Sequence, residues 1–148
     1  MDWKTQLNNY IKDQSNKEFK YGRQDCFLFA IRWIEVLWKK ELLDELSPKG
    51  YKSLKDGKEQ IFKHLQDKKP KDFLLEFWIF CMNKWNQEEV GRLFLQSGDL
   101  VLLKVDKRTT SCIVQNGKAL STGKKGISWI DISEKNFIKA WRVDKCHQ

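Results

Sequence analysis

The chain has 148 residues, the length of one ordinary domain, and hydrophobic residues make up 41% of it, which excludes a disordered protein despite 32% charged residues. The formal net charge of +8 raises nucleic acid as a partner, yet basic and acidic residues alternate, as in the segment KKELLDE at 39–45. We therefore expect a single folded domain over residues 1–148, with a lysine-rich solvated surface and no specific nucleic-acid site.

The first segment, MDWKTQLNNYIKDQ, is polar and amphipathic, and no later run approaches the roughly 18 apolar residues of a membrane span. We expect no membrane insertion, and the absence of a signal peptide favours a reducing compartment with free thiols. The four cysteines lie 55, 31 and 34 positions apart, without a CxxC pair, at Cys26, Cys81, Cys112 and Cys146. This spacing predicts neither a structural metal site nor another cofactor.

Apolar residues at helical spacing dominate the first two thirds of the chain. They predict a first helix that ends before Ser15, and a second, central helix that Asp25 caps and Cys26 opens. The segment SPKGYKSLKDG at 47–57 is rich in Pro and Gly and predicts a loop. Two further helices are expected, one around Ile61, Phe62 and Leu65 that stops before Lys68, and one from about Asp72 to Trp85.

From Ser97 the apolar pattern becomes that of extended chain. It predicts a first strand that begins near Asp99, two strands joined by the Asn116-Gly117 turn, one strand over 126–132 and a last one over 139–143. The predicted fold class is therefore α+β, with N-terminal helices packed on a small C-terminal antiparallel sheet.

Cys26 stands at the predicted start of a helix, where a cysteine can be a small buried hydrophobe, a metal ligand or a nucleophile. A thiolate at this position is stabilised by unpaired backbone N–H groups and by the positive end of the helix dipole. We therefore expect a lowered pKa for the Cys26 thiol. Cys81 and Cys112 lie in apolar helix and strand patterns and are expected to be core hydrophobes, whereas Cys146 is expected to be a reactive thiol in the tail.

An ordered set of short motifs spans nearly the whole chain: FKYGRQDC at 19–26, YKS at 51–53, GDLVL at 98–102, GKAL at 117–120 and AWRV at 140–143. The set resembles the NlpC-like papain-fold cell-wall peptidases. It is more similar to an offshoot of them that occurs in phage tails and prophages and has no defined function. The resemblance implies a papain-like, NlpC-type fold and a phage or prophage tail protein.

The resemblance also implies roles for single residues. Cys26 corresponds to the nucleophile that attacks an amide of a peptidoglycan stem peptide, and Asp25 to a residue beside a substrate amine. The family's catalytic histidine aligns with Ser111, which cannot act as the base. Tyr21 either contributes to an oxyanion pocket or caps its turn. Phe27 replaces a small residue of typical members and would narrow or fill the substrate position.

Two functions follow from these expectations. The first is a binding or structural module with a degenerate cysteine-peptidase fold, whose partners are other phage-tail or assembly proteins. The alternative is an active cysteine peptidase or amidase that cleaves stem peptides with an unconventional base, for which the sequence offers His64 and His147. The expected localisation is the cytoplasm, where the protein is made, with association with the virion as the further expectation for a tail protein.

The chain also contains seven tryptophans. They either fill a helix-on-sheet core or, where they are exposed, form a patch for protein–protein contact.

Overall fold

A computed structural model describes residues 2–46, 50–65, 70–124 and 126–144 of the chain, with the side chains of residues 61 and 62 excepted. Within these residues, five helices come first and six strands follow. The helices are α1 (Trp3–Gln14), α2 (Cys26–Trp38), α3 (Leu43–Leu46), α4 (Leu54–Phe62) and α5 (Phe73–Lys84). The strands are β1 (Glu88–Glu89), β2 (Leu100–Val105), β3 (Arg108–Gln115), β4 (Lys118–Gly123), β5 (Gly126–Asp131) and β6 (Phe137–Arg142), with a single 3₁₀ turn over Arg92–Phe94 between β1 and β2.

The three longest helices each begin after an aspartate whose carboxylate accepts a backbone N–H of the first turn. Asp2 accepts from Thr5 at 2.8 Å, Asp25 from Leu28 at 2.8 Å and Asp72 from Leu75 at 3.1 Å. This cap satisfies a donor that has no partner within the helix and places a negative charge at the positive end of the dipole. The predicted Asp25 cap is confirmed.

The strands form one antiparallel sheet in the order β1-β6-β2-β3-β4-β5. The turn between β3 and β4 is the predicted Asn116-Gly117 pair, and both residues have positive φ angles, 50° and 80°. Such a pair matches the right-handed twist of the flanking strands, which is why the dipeptide predicts a hairpin so well.

Both faces of the sheet are covered. In β2 four successive residues, 100–103, are fully buried. Leu100 and Leu102 belong to the core shared with the helices, whereas Val101 and Leu103 belong to a second cluster with Cys112 and Val114. Helix α2 packs on β3 and β4 and is buried almost all round. The centre of the fold is therefore the interface between α2 and the middle strands.

Most of the tryptophans fill this core. Trp33, Trp38, Trp78, Trp85 and Trp141 are buried, Trp3 is half-buried, and Trp129, on the edge strand β5, is 55% exposed. The core role expected for the tryptophans is thus the main one. Among the described residues no helix combines the length and the apolar character needed to cross a membrane.

The predicted α+β class, with helices first and an antiparallel sheet after them, is confirmed. The loop predicted over 47–57 is wrong at its end, because α4 begins at Leu54 and ends at Phe62, earlier than expected. Gly57 signalled a loop, but it lies inside α4, where the ring of Tyr51 packs in the place of a side chain. Residues 47–49 of that loop lie outside the described residues, and the helix does end before Lys68, as predicted.

Two short elements were not predicted. Helix α3 has four residues, and β1 has two, so the strand expected to be first in the sheet is the second in chain order. Both are too short to show a period in the sequence. Helix α3 is stabilised instead from a distance, since Glu35 of α2 accepts the backbone N–H groups of Leu42 and Leu43 at 2.7 and 3.1 Å.

Candidate functional site

Cys26 is the first residue of α2 and follows the capping residue Asp25. The helix packs on the antiparallel sheet, and the predicted position of Cys26 in the first turn of such a helix is confirmed. The sulfur interacts with both the backbone and the hydroxyl of Ser111. The residues that the sequence placed at the nucleophile and base positions, Cys26 and Ser111, are therefore neighbours in the fold.

Ser111 lies in β3, opposite Leu102 of β2, and is fully buried. Its hydroxyl oxygen accepts a hydrogen bond from the indole nitrogen of Trp78, in α5, at 2.8 Å. Its carbonyl oxygen accepts a hydrogen bond from the hydroxyl of Ser121, in β4, at 2.9 Å. Ser111 thus joins α2, α5 and two strands at one point beneath the start of α2.

Burial raises the pKa of the Cys26 thiol above its ordinary value. The hydrogen bonds from Ser111 act in the opposite direction, and the negative charge of Asp25 adds to the increase. The lowered pKa expected from the helix N-terminus is therefore wrong. The physical reason is that a thiolate surrounded by apolar side chains loses its hydration, and this loss outweighs the favourable contacts.

The carboxylate of Asp25 has three partners. One oxygen accepts the Leu28 N–H at 2.8 Å, and the other accepts the Gly22 N–H at 3.0 Å and the hydroxyl of Tyr51. Burial raises the pKa of Tyr51, and the charge of Asp25 raises it further, so the hydroxyl stays protonated and donates. Both carboxylate oxygens of Asp25 therefore accept hydrogen bonds from groups of the protein itself: from the turn, from the first turn of the helix and from Tyr51.

The two aromatic residues predicted at the substrate position pack on different aromatic side chains. Phe27 is buried and packs on Phe77 and Trp78, with ring centroids 5.4 and 5.5 Å away. Tyr21 is half-buried, and its ring meets that of Phe19 edge-on at 4.8 Å. Phe27 thus packs on Trp78, whose indole N–H donates to Ser111. Roles in substrate binding for Tyr21, Asp25 and Phe27 stay predictions.

The imidazole of His64 is engaged elsewhere. Its Nε2 atom lies 2.7 Å from the carbonyl oxygen of Leu46, and its ring lies beside Phe77 and Phe80, with centroids 6.0 and 5.8 Å away. The second histidine, His147, and the tail cysteine, Cys146, lie outside the described residues. Within the ranges that the structure describes, no group of three or more His, Cys, Asp or Glu could hold a metal ion.

The other two described cysteines are free thiols of the core. Cys81 and Cys112 are both fully buried, as expected from their apolar surroundings in the sequence. Burial raises the pKa of each thiol, so both are protonated and unreactive in the folded chain.

Two of the sequence motifs meet in a structural ion pair away from Cys26. The guanidinium of Arg142 donates to both oxygens of Asp99 at 3.2 Å, and also to the carbonyl oxygen of Phe94 at 2.9 Å. Asp99 also accepts the backbone N–H of Gln96 at 2.8 Å. This pair fixes the start of β2 to the end of β6, which gives the GDLVL and AWRV motifs a role in the fold.

Sequence reasoning missed Trp78 and Tyr51 as members of the site. Trp78 lies in the helix predicted from about Asp72 to Trp85, and the helical spacing of its apolar residues does not show that the indole would bind Ser111. Tyr51 did have a signal, because it opens the YKS motif of the ordered set.

Comparison with models of known protein families gives a match over most of the chain. Residues 1–143 match the model of a family described as Domain of unknown function (DUF6950). None of the curated proteins compared with the chain matches it.

Proposed function

We propose that this chain, which belongs to the DUF6950 family, is a non-hydrolytic binding module. The module has an NlpC-related papain-like fold and acts in the assembly of a phage or prophage tail or at its tip. One observation carries the non-hydrolytic part of the proposal. The side chain that acts on the pKa of the Cys26 thiol, at the position that the resemblance gives to the catalytic imidazole, is the hydroxyl of Ser111.

The chemistry of this pair argues against amide hydrolysis. A cysteine nucleophile must be a thiolate, and a neighbouring base must take or hold its proton. Here burial raises the pKa of the thiol, and the Ser111 hydroxyl already accepts the indole N–H of Trp78. The one imidazole that the described residues include, that of His64, is bonded to Leu46.

The fold and tail context rest on different support. The position of Cys26 at the start of a helix that packs on an antiparallel sheet is compatible with an NlpC-type fold. The assignment to a phage or prophage tail rests on the resemblance of the ordered motifs alone. Other tail or assembly proteins are the expected partners.

A hydrolysis assay tests the proposal directly. Purified protein is incubated with peptidoglycan and with soluble stem peptides, and newly formed amino groups are measured over time. We expect the same background with wild type and with Cys26→Ala. Release of amines that Cys26→Ala abolishes would replace the proposal with the alternative, a cysteine peptidase that cleaves stem peptides.

A genetic experiment tests the binding role. The gene is deleted from the phage or prophage that encodes it, and particles are examined by electron microscopy and infectivity. We expect defective tails, restored by the wild-type gene and equally by Cys26→Ala, because the module acts through its surface. Normal tails after deletion would refute the assembly role, and a failure of Cys26→Ala alone to restore them would show that the thiol is needed.

A further inference from the structure

Residues 50–53 lie against the turn that precedes Cys26, and we call them the Tyr51 clasp. The hydroxyl of Tyr51 donates to Asp25, the residue next to Cys26. The carbonyl oxygen of Tyr51 sits so close to Gly22 that a Cβ atom there would lie 1.7 Å from it. The clasp is thus joined to the turn by a side-chain bond and by a close backbone contact.

The other end of the clasp is anchored to α4. The backbone N–H of Lys52 donates to Asp56 at 3.1 Å, and the hydroxyl of Ser53 accepts the N–H of Asp56 at 3.1 Å. The ring of Tyr51 packs on Gly57, where a Cβ atom would come within 3.1 Å of it. Helix α4 therefore carries the clasp, and the bond to Asp25 holds it on the turn.

The clasp also lies near the thiol. Asp25, which accepts the hydroxyl of Tyr51, directly precedes Cys26 in the chain, so the phenol lies beside the first residue of α2. Cys26 itself is half-buried, although it opens a helix at the edge of the core. Its surroundings thus include a segment held on the turn by one side-chain hydrogen bond and one close backbone contact, and so few contacts favour local opening.

We propose that the Tyr51 clasp closes the approach to Cys26 and regulates access to it, opening when the bond between Tyr51 and Asp25 breaks. This inference rests on the proposed function, because it takes the surface that the clasp covers, beside Cys26, as the surface through which the module binds a partner. A partner that displaces the clasp would gain both the thiol and the Asp25 carboxylate.

The test is the rate at which iodoacetamide alkylates Cys26 at pH 8, followed by peptide mass spectrometry in the full chain. Tyr51→Phe removes the hydroxyl and keeps the ring. We expect it to speed alkylation of Cys26 by about tenfold or more, since a lost hydrogen bond to a charged group shifts an opening equilibrium by at least that factor. Loss of the Tyr51 hydroxyl also frees Asp25, whose negative charge would raise the pKa of the Cys26 thiol and slow its alkylation. Faster alkylation in Tyr51→Phe would therefore report greater access of the reagent to the thiol.

Tyr10→Phe is the matched control. The Tyr10 hydroxyl, in α1, donates to the carbonyl oxygen of Phe29 in α2, the helix that Cys26 opens. This bond does not involve the clasp. We expect it to leave the Cys26 rate within about twofold of wild type. Cys81 is the internal reference, because it is buried in α5 and reacts only after global unfolding.

Two results would overturn the clasp. One is a Cys26 rate in Tyr51→Phe equal to that in Tyr10→Phe. The other is parallel acceleration of Cys26 and Cys81, which would mean loss of global stability. Amide hydrolysis is measured on the same samples as a separate readout, so hydrolysis that requires Cys26 refutes the proposed function and leaves the alkylation result to decide the clasp.

Discussion

Replacing Ser111 by alanine removes the acceptor of the Trp78 indole at the centre of the candidate site. Both residues are fully buried, and the donor and acceptor are 2.8 Å apart. The substitution leaves a buried N–H without a partner, which costs about 1–3 kcal/mol. Taking about 2 kcal/mol, the melting temperature of a chain of this length should fall by about 4–8 °C.

The assay is urea and thermal unfolding of Ser111→Ala, followed by tryptophan fluorescence. Ser128→Ala is the control, because Ser128 is an exposed residue of the edge strand β5. A surface substitution of this kind changes the free energy of unfolding by no more than about 0.5 kcal/mol. A loss of stability in Ser111→Ala no larger than that in Ser128→Ala would refute the reasoning.

A double-mutant cycle separates the hydrogen bond from simple loss of packing. Phenylalanine at position 78 has no N–H group, so in the Trp78→Phe background the serine has no indole to accept. We expect Ser111→Ala to cost about 1 kcal/mol less there than in the wild type. Equal costs in the two backgrounds would show that the hydrogen bond contributes nothing to stability.

Three further predictions concern protonation and the ion pair. Because burial raises the pKa of Cys26, its alkylation by iodoacetamide should be slow at pH 7 and still rise with pH through about pH 9; a plateau below pH 8 would contradict this. Burial raises the pKa of Asp99 although Arg142 opposes the shift, so the stability that Asp99 contributes is present at low pH and lost as pH rises through its folded-state pKa. The advantage of wild type over Asp99→Asn in urea unfolding should therefore be larger at about pH 4 than at pH 7, and an advantage that grows with pH would reverse the sign. His64→Ala should leave alkylation of Cys26 at pH 6 unchanged, because the imidazole of His64 is hydrogen-bonded to Leu46. A fast phase of alkylation in the wild type that His64→Ala abolishes would show instead that this imidazole activates Cys26.

Local signals explain the parts of the fold that could be predicted. An aspartate before an apolar helical pattern caps a helix through its own first turn, and Asn116-Gly117 favours a hairpin through its own backbone angles. These interactions span only a few residues, so they can be read without the fold. The position of Cys26 at the start of α2 was predictable for this reason.

The parts that could not be predicted depend on distant contacts. The absence of a side chain at Gly57 makes room for the Tyr51 ring, which comes from outside that helix, and α3 forms where Glu35 of another helix caps it. The pKa of Cys26 is decided the same way. The helix start alone favours the thiolate, but the side chains that α5 and β3 bring around it remove its water and reverse the effect.

The amino-acid sequence by itself thus determined the α+β class, the Asp25 cap, the hairpin turn and the place of Cys26, because each follows from neighbours along the chain. Only the tertiary structure decided what surrounds that thiol. Ser111, Trp78 and Tyr51 are remote from Cys26 in sequence, and their hydrogen bonds and the desolvation around Cys26 exist only once the helices have packed on the sheet.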